Sequence, residues 1–180
     1  MDNRKLLNIE LGRVNAEQYK ELPPSGIVVV LDNIRSAHNV GSAFRSSDAF
    51  KVDQVLLCGI SAVPPSAEIH KSALGAEFSV PWKHYDETLD AVRDLRQQGY
   101  IIIGVEQTVN SVSLEKFVPE PGKKYALIFG NEVAGVAQDV VDASDFTLEI
   151  PQFGTKHSLN VSVSIGVVLW QSRKFSNFNK

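Results

Sequence analysis

Hydrophobic residues fall into short continuous runs separated by amphipathic stretches. "GIVVVLD" (26–32) is an unbroken β-branched run, the mark of a strand covered on both faces. "VDQVLLCG" (52–59), "YIIIGVE" (100–106), "YALIFGN" (125–131) and "FTLEIP" (146–151) read as further strands. Helical periods lie between them. Asn39 is placed to cap a helix over about 40–50, with Val40, Ala43, Phe44 and Ser47 on one face. Pro64 and Pro65 precede a short helix around 67–74. Leu89, Val92 and Leu95 line a helix over 86–99 that Gly99 ends, and 136–144 reads as another short helix. The segment 107–124, with Leu114, Phe117 and a "PEPG" turn, reads as loop-rich. Strands alternating with helices predict an α/β domain with a mostly parallel sheet and helices on both faces.

One stretch sends two messages. In "HSLNVSVSIGVVLWQSRKF" (157–175), Leu159, Val161, Val163, Ile165 and Val167 alternate with small polar residues, the pattern of a half-buried strand. Val167 to Trp170 then run on unbroken, and no turn signal interrupts the span from Ser158 to Arg173. That length suits a helix better than a strand of the usual ~5–6 residues. Pattern alone leans towards strand.

Composition changes this picture little. The 180 residues, 43% hydrophobic and 22% charged, fit one domain with a real core. Residues 1–24 read as an N-terminal extension ahead of a single domain over 25–180. The longest apolar runs, Ile27–Leu31 and Val167–Trp170, fall far short of the ~20 residues of a membrane helix. The opening "MDNRKLLNIELGR" has no signal-sequence pattern. A single Cys58 permits no internal disulfide and fits a reducing cytosol, so a cytoplasmic location is expected. Its expected role is that of a small buried hydrophobe. The net charge of −3 does not favour a nucleic-acid partner through bulk charge. Such a partner would rely on local patches at Arg35/His38/Arg45, Lys123/Lys124, Lys156/His157 and Arg173/Lys174, each of which alone reads as solvated surface.

In open parallel sheets ligands bind beyond the carboxyl ends of the strands. The segments there are 32–39, 104–110, 129–135 and 151–160. Three of the loops, "DNIRSAHNVGSAFR", "FGNEVAG" and "IPQFGTKHSLN", are rich in Asn, Gly and Ser. Glycine admits close backbone approach and Asn or Ser supplies compact hydrogen bonding, although the same residues fill ordinary turns. Other chemistries lack their signatures. No dinucleotide or P-loop glycine pattern occurs, and no GxSxG elbow. The four histidines have no metal-ligand spacing, so no metal is expected. Glu106 and Glu132 both end strands and are the one carboxylate pair in prospect.

Taken together, the three loops resemble the motifs of the SPOUT superfamily, in its SpoU/TrmH branch of RNA ribose 2′-O-methyltransferases. The first motif, N-x-G-x-x-x-R and a following Ala-Phe pair, is matched by Asn39 to Arg45 and then Asp48-Ala49-Phe50. The second, an apolar strand leading into G-x-E-x-x-G, is matched by Gly130, Glu132 and Gly135. The third, I-P-x-x-G-x-x-x-S-L-N-V-S, is matched from Ile150 to Ser162. Order and spacing agree, and the resemblance covers roughly 25–173. Lys51 departs from a common glycine after the Ala-Phe pair, and Gln152 from a frequent methionine. No added RNA-binding domain is expected from residues 1–24, and no long basic run is read in the sequence.

The resemblance implies an α/β knot, with the C-terminal segment threaded as a deep trefoil. It implies S-adenosylmethionine as cofactor, held by Val105, Glu106, Gln107, Gly130, Asn131, Glu132, Ile150, Gln152, Ser158 and Leu159. Arg45, with Asn39 beside it, is then the candidate group for the ribose hydroxyl. A guanidinium is a poor base, so holding the adjacent phosphate and stabilising a developing alkoxide is its expected role. Glu132, Ser158 and Asn160 would orient that group, the cofactor or the ribose. The resemblance also turns 158–173 into a helix, with Ser158 as its cap and Trp170 in a homodimer interface. RNA is the implied partner, with transfer RNA expected and ribosomal RNA the alternative. A non-catalytic RNA-binding module of the same fold, and a small-molecule enzyme with another nucleotide cofactor, are the competing readings.

Overall fold

The computed structural model describes residues 3–173; Lys174 and the end of the expected 25–180 domain lie outside the described residues. A seven-stranded sheet of order β3-β2-β1-β6-β4-β7-β5 forms the centre. Its strands are β1 (Ile27–Asp32), β2 (Gln54–Cys58), β3 (Trp82–Tyr85), β4 (Tyr100–Val105), β5 (Val112–Ser113), β6 (Lys124–Phe129) and β7 (Phe146–Glu149). Every pairing among them is parallel.

The unbroken apolar runs follow from burial on both faces. Ile27, Val29 and Leu31 enter one core, and Val28 and Val30 the other. The first core lies under α1 (Ala16–Glu21), α2 (Ala37–Ala49), α3 (Ala67–Ala73), α4 (Ala76–Ser79) and α7 (Val161–Arg173). The second lies under α5 (Thr88–Gln97) and α6 (Gln138–Asp142). Cys58 is fully buried there, and burial pushes its thiol up to about 12, so it stays a protonated small hydrophobe at neutral pH.

Two strands had no pattern to announce them. β3 is an edge strand whose residues are exposed or half-buried, so "WKHY" lacks an apolar side. β5 is only two residues long, inside the segment expected to be loop, and a 3-10 turn over Leu114–Lys116 follows it. The N-terminal extension also carries structure: Tyr19 of α1 is buried, and its hydroxyl donates to the Val52 carbonyl at 2.9 Å.

Two helix starts differ from expectation. Ser36, not Asn39, caps α2, its hydroxyl accepting from the Asn39 N–H at 3.2 Å; the helix therefore begins earlier and frees the Asn39 amide for other work. The last segment is helix, and Asn160, not Ser158, caps it. The Asn160 side-chain oxygen accepts from the Ser162 N–H at 2.9 Å, and its carbonyl accepts from Ser164 N–H at 3.0 Å. Along α7 the buried positions are Ile165, Val168, Leu169 and Ser172, a helical spacing. From the loop after β7 the chain thus returns to pack α7 against α2, a path that fits the knotted C-terminal segment the resemblance implies.

Lys51 closes α2 with φ +53°, in the left-handed region where glycine is at ease. Its ammonium sits 4.6 Å from the Tyr19 ring centroid and 3.9 Å from the Asp53 carboxylate, contacts that a glycine would lack.

Candidate active site

A cleft of about 640 Å³ opens beyond the carboxyl ends of β4, β6 and β7. Its walls come from residues 105–108, 129–136, 138, 141, 148–150, 152, 157–161 and 164. Val105, Phe129, Val141, Leu148, Ile150 and Leu159 supply the apolar part of the lining.

The 130–136 loop takes its shape from two kinds of constraint. Asn131 and Gly135 exchange both backbone hydrogen bonds at 2.9 Å, closing a tight turn. A Cβ on Gly130 would lie 2.0 Å from Val136 N, so only glycine fits there. Two carboxylates, one buried and one half-buried, then hold the turn in place. Asp32, at the end of β1, accepts from the Ala137 N–H at 2.9 Å and from the Thr88 hydroxyl at 2.6 Å. Glu106, at the end of β4, accepts from Val136 N–H at 3.0 Å and Gln107 N–H at 2.8 Å. The Asn131 amide donates to the Asn33 carbonyl at 2.7 Å. Across the cleft, the Gln107 amide donates to the His157 carbonyl at 2.8 Å, joining the first loop to the last.

At one end of the cleft, the three sequence motifs meet in a chain of hydrogen bonds. Glu132 accepts from the Arg35 and Ser36 N–H groups, both at 3.1 Å, and from the Asn39 amide at 2.9 Å. Asn160 donates to the Asn39 side-chain oxygen at 3.3 Å. Glu132 therefore sits at the N-terminus of α2, where a carboxylate complements the helix dipole. Partial burial pushes its carboxyl up, but the Asn39 amide and the backbone donors outweigh this and hold it below its ordinary value. Its oxygens are occupied by donors and its basicity is reduced, an arrangement suited to positioning.

All ten residues expected to hold a cofactor, Ser158 among them, line the cleft, as does Asn160. Asn39 lies behind Glu132 and reaches the cleft through its hydrogen bonds. Arg45 does not line it. It is exposed on α2, six residues beyond Asn39, or about 9 Å along the helix at 1.5 Å per residue. Asp32 and Ser36 were not singled out from sequence. A carboxylate ending an otherwise apolar buried strand was the available signal for Asp32.

The lining suits S-adenosylmethionine on the chemistry of its donors. Its carboxylates are Glu106, Glu132 and Glu149, and it includes no Lys or Arg. Such a lining favours a cationic sulfonium beside an apolar adenine slot and disfavours a cofactor carrying phosphates. Among the described residues no cluster of His, Cys, Asp and Glu is placed to hold a metal.

The model of the SpoU rRNA Methylase family matches residues 26–170. The 23S rRNA (guanosine-2′-O-)-methyltransferase RlmB of Nitrosomonas europaea is 33% identical over 155 residues, spanning 84% of this chain and 57% of its own length. A putative TrmH family tRNA/rRNA methyltransferase of Staphylococcus saprophyticus is 27% identical over 161 residues, 89% of this chain and 64% of its own. The chain thus spans less than two thirds of the length of these relatives. Among solved structures, the AdoMet-bound rRNA methyltransferase of Sinorhizobium meliloti superposes with a TM-score of 0.78 at 26% identity, over 87% of this chain and 59% of that one.

Proposed function

Because the chain belongs to the SpoU rRNA methylase family, we propose that it is an S-adenosylmethionine-dependent methyltransferase acting on ribose 2′-hydroxyls of RNA. The observation that carries this reading is the cleft itself: a cation-favouring lining whose wall is joined, through Glu132, Asn39 and Asn160, to the helix that bears Arg45. The bound cofactor supplies an electrophilic methyl group; the chain supplies alignment and electrostatics. Gln107, Gly130, Ile150 and Leu159 hold the cofactor's nucleoside. Glu132 fixes the start of α2 against the 131–135 turn, so Asn39 and Asn160 keep their orientation towards the ribose. Arg45, permanently cationic and exposed, meets the RNA strand at the cleft mouth, holds the neighbouring phosphate and stabilises the alkoxide that develops as the hydroxyl loses its proton.

The polynucleotide partner is RNA, with transfer RNA the expected substrate. Ribosomal RNA is the second reading, favoured by the 33% identity to an enzyme named for 23S rRNA. The working form is a homodimer whose interface uses the exposed stripe Val163, Val167 and Trp170 of α7. The expected location is the cytoplasm; among the described residues no helix is long and apolar enough to cross a membrane.

Purified protein is expected to move labelled methyl from S-adenosylmethionine onto 2′-oxygens of unmodified tRNA or rRNA. Arg45→Ala abolishes transfer while cofactor binding, measured by calorimetry, persists. Cofactor binding with no methylated product from either RNA pool would assign the chain to the non-catalytic module instead.

A further inference from the structure

The cleft has three carboxylates, and their oxygens are not equally engaged. Both oxygens of Glu106 accept backbone N–H groups, from Gln107 and Val136. Both oxygens of Glu132 accept donors at the start of α2. Glu149, the last residue of β7, is half-buried and differs from them. Its Oε2 accepts from the Ser111 hydroxyl at 2.9 Å, whereas Oε1 has no donor among the described residues and keeps accessible surface. The two-residue β5 holds this end of β7 in place. Ser113 pairs with Glu149 in the ladder, and two residues earlier the Thr147 hydroxyl lies 2.6 Å from that of Thr108.

Position in the sheet selects the part of a ligand that Glu149 meets. Strand order runs β1-β6-β4-β7, and the Glu132–Asn39 bond marks the β1 side, where the reading above delivers the methyl group. Glu149 ends β7, two strand spacings or about 10 Å from the end of β6. The cofactor's ammonium is only a few bonds from its sulfonium, whereas the edge of its adenine is the remotest part. Leu148 and Ile150, the chain neighbours of Glu149, both belong to the apolar lining, which suits a flat base. A carboxylate can only accept and the adenine 6-amino group can only donate, whereas ribose hydroxyls do both and find partners among backbone groups or water. We propose that Glu149 Oε1 accepts the 6-amino group of the cofactor's adenine and is the residue by which the cleft selects adenine over a 6-oxo purine. A 6-oxo group would set one acceptor against another, and two acceptors facing each other away from water cost binding. The role rests on the S-adenosylmethionine reading above and adds a base-selecting residue to it.

Calorimetric binding to the full chain, with no RNA and no turnover, tests this. The wild type should bind S-adenosylhomocysteine about a hundredfold more tightly than S-inosylhomocysteine, in which a 6-oxo group replaces the amino group. Glu149→Gln keeps an acceptor for Ser111 and supplies an amide that can turn either its oxygen or its N–H towards the base. It should weaken S-adenosylhomocysteine about tenfold, tighten the inosyl compound, and so cut the preference by more than about tenfold. 5′-Methylthioadenosine, which has the base but no amino-acid tail, should share the loss. Equal losses on the adenosyl and inosyl compounds, as a structural or ribose-binding role would give, overturn the assignment. So does a loss that 5′-methylthioadenosine does not share, which would give the carboxylate to the ammonium. Affinities that Glu149→Gln leaves unchanged overturn the role of Glu149 and leave the cofactor reading intact. A wild-type chain that binds none of the three compounds overturns the cofactor reading, and the role of Glu149 with it. The expected preference in a chain that methylates no RNA upholds Glu149 and overturns the methyltransferase reading.

Discussion

Glu132 accepts from two backbone N–H groups and one side-chain amide, and each bond favours its ionised form. Its folded carboxyl value therefore lies below the ordinary 4.5. A depressed carboxyl contributes stability above the unfolded value and loses it as pH falls through the folded one. Glu132→Gln is thus expected to lower stability at neutral pH by about 0.5–1 kcal/mol, the scale of a partly exposed charge at a helix terminus. The gap between wild type and variant should close as pH drops below 4.5. Urea titrations at pH 7 and in the acid range measure it, and a gap that stays constant would remove the charge from the account. The resemblance gave Glu132 an orienting role; the donors it would accept from, Arg35, Ser36 and Asn39, are distant in sequence and could not be read from it. Asn39 was misplaced for a related reason: both it and Ser36 are good caps, and the choice between them depends on Glu132, which is distant in sequence.

Elements that bury a regular pattern were legible; those that do not were not. β1, β4 and β6 carry continuous apolar runs because both their faces are covered, whereas the exposed edge strand β3 left no trace. Alternation along 159–167 suggested a strand because Val163 and Val167 were counted with Ile165. In the helix only Ile165 of these three is buried; Val163 and Val167 stand on the outer face at 51% and 38% exposure. Gly41 shows the same limit. Read in a ligand loop it suggests close approach of substrate, yet its missing side chain makes room for α3. Glycine to alanine inside a helix ordinarily stabilises by about 1 kcal/mol. Here the added Cβ would lie 2.0 Å from Ser72 Oγ and 2.4 Å from the Ile69 carbonyl oxygen, and backbone cannot step aside. Overpacking should win, and Gly41→Ala is expected to destabilise by about 1–3 kcal/mol. Adding Ser72→Ala should restore only part of this, because the Ile69 carbonyl remains. Full restoration in the urea midpoint would mean that side-chain crowding alone requires the glycine.

At the scale of the whole molecule, two facts about α7 and α2 belong together. Arg45 lies on the exposed side of α2 outside the cleft lining, and the outer face of α7 is left apolar: Val163, Val167 and Trp170 recur at helical spacing, with Trp170 66% exposed and packed edge-on against Phe50. Singly exposed apolar residues are common, but a stripe along one helix is the surface that the proposed homodimer would cover. A homodimer built on that stripe would give RNA a surface wider than one chain offers, which a chain of net charge −3 needs if local patches must act together. Trp170→Glu and Val163→Glu each place a charge in such an interface without disturbing the buried positions Ile165, Val168 and Leu169. Each is expected to shift sedimentation-equilibrium mass from dimer to monomer and to reduce methyl transfer at least about tenfold, since a charge left unpaired in an interface core costs more than ~1.4 kcal/mol. A wild-type chain that sediments as a monomer while transferring methyl groups would defeat this arrangement and return the stripe to ordinary surface.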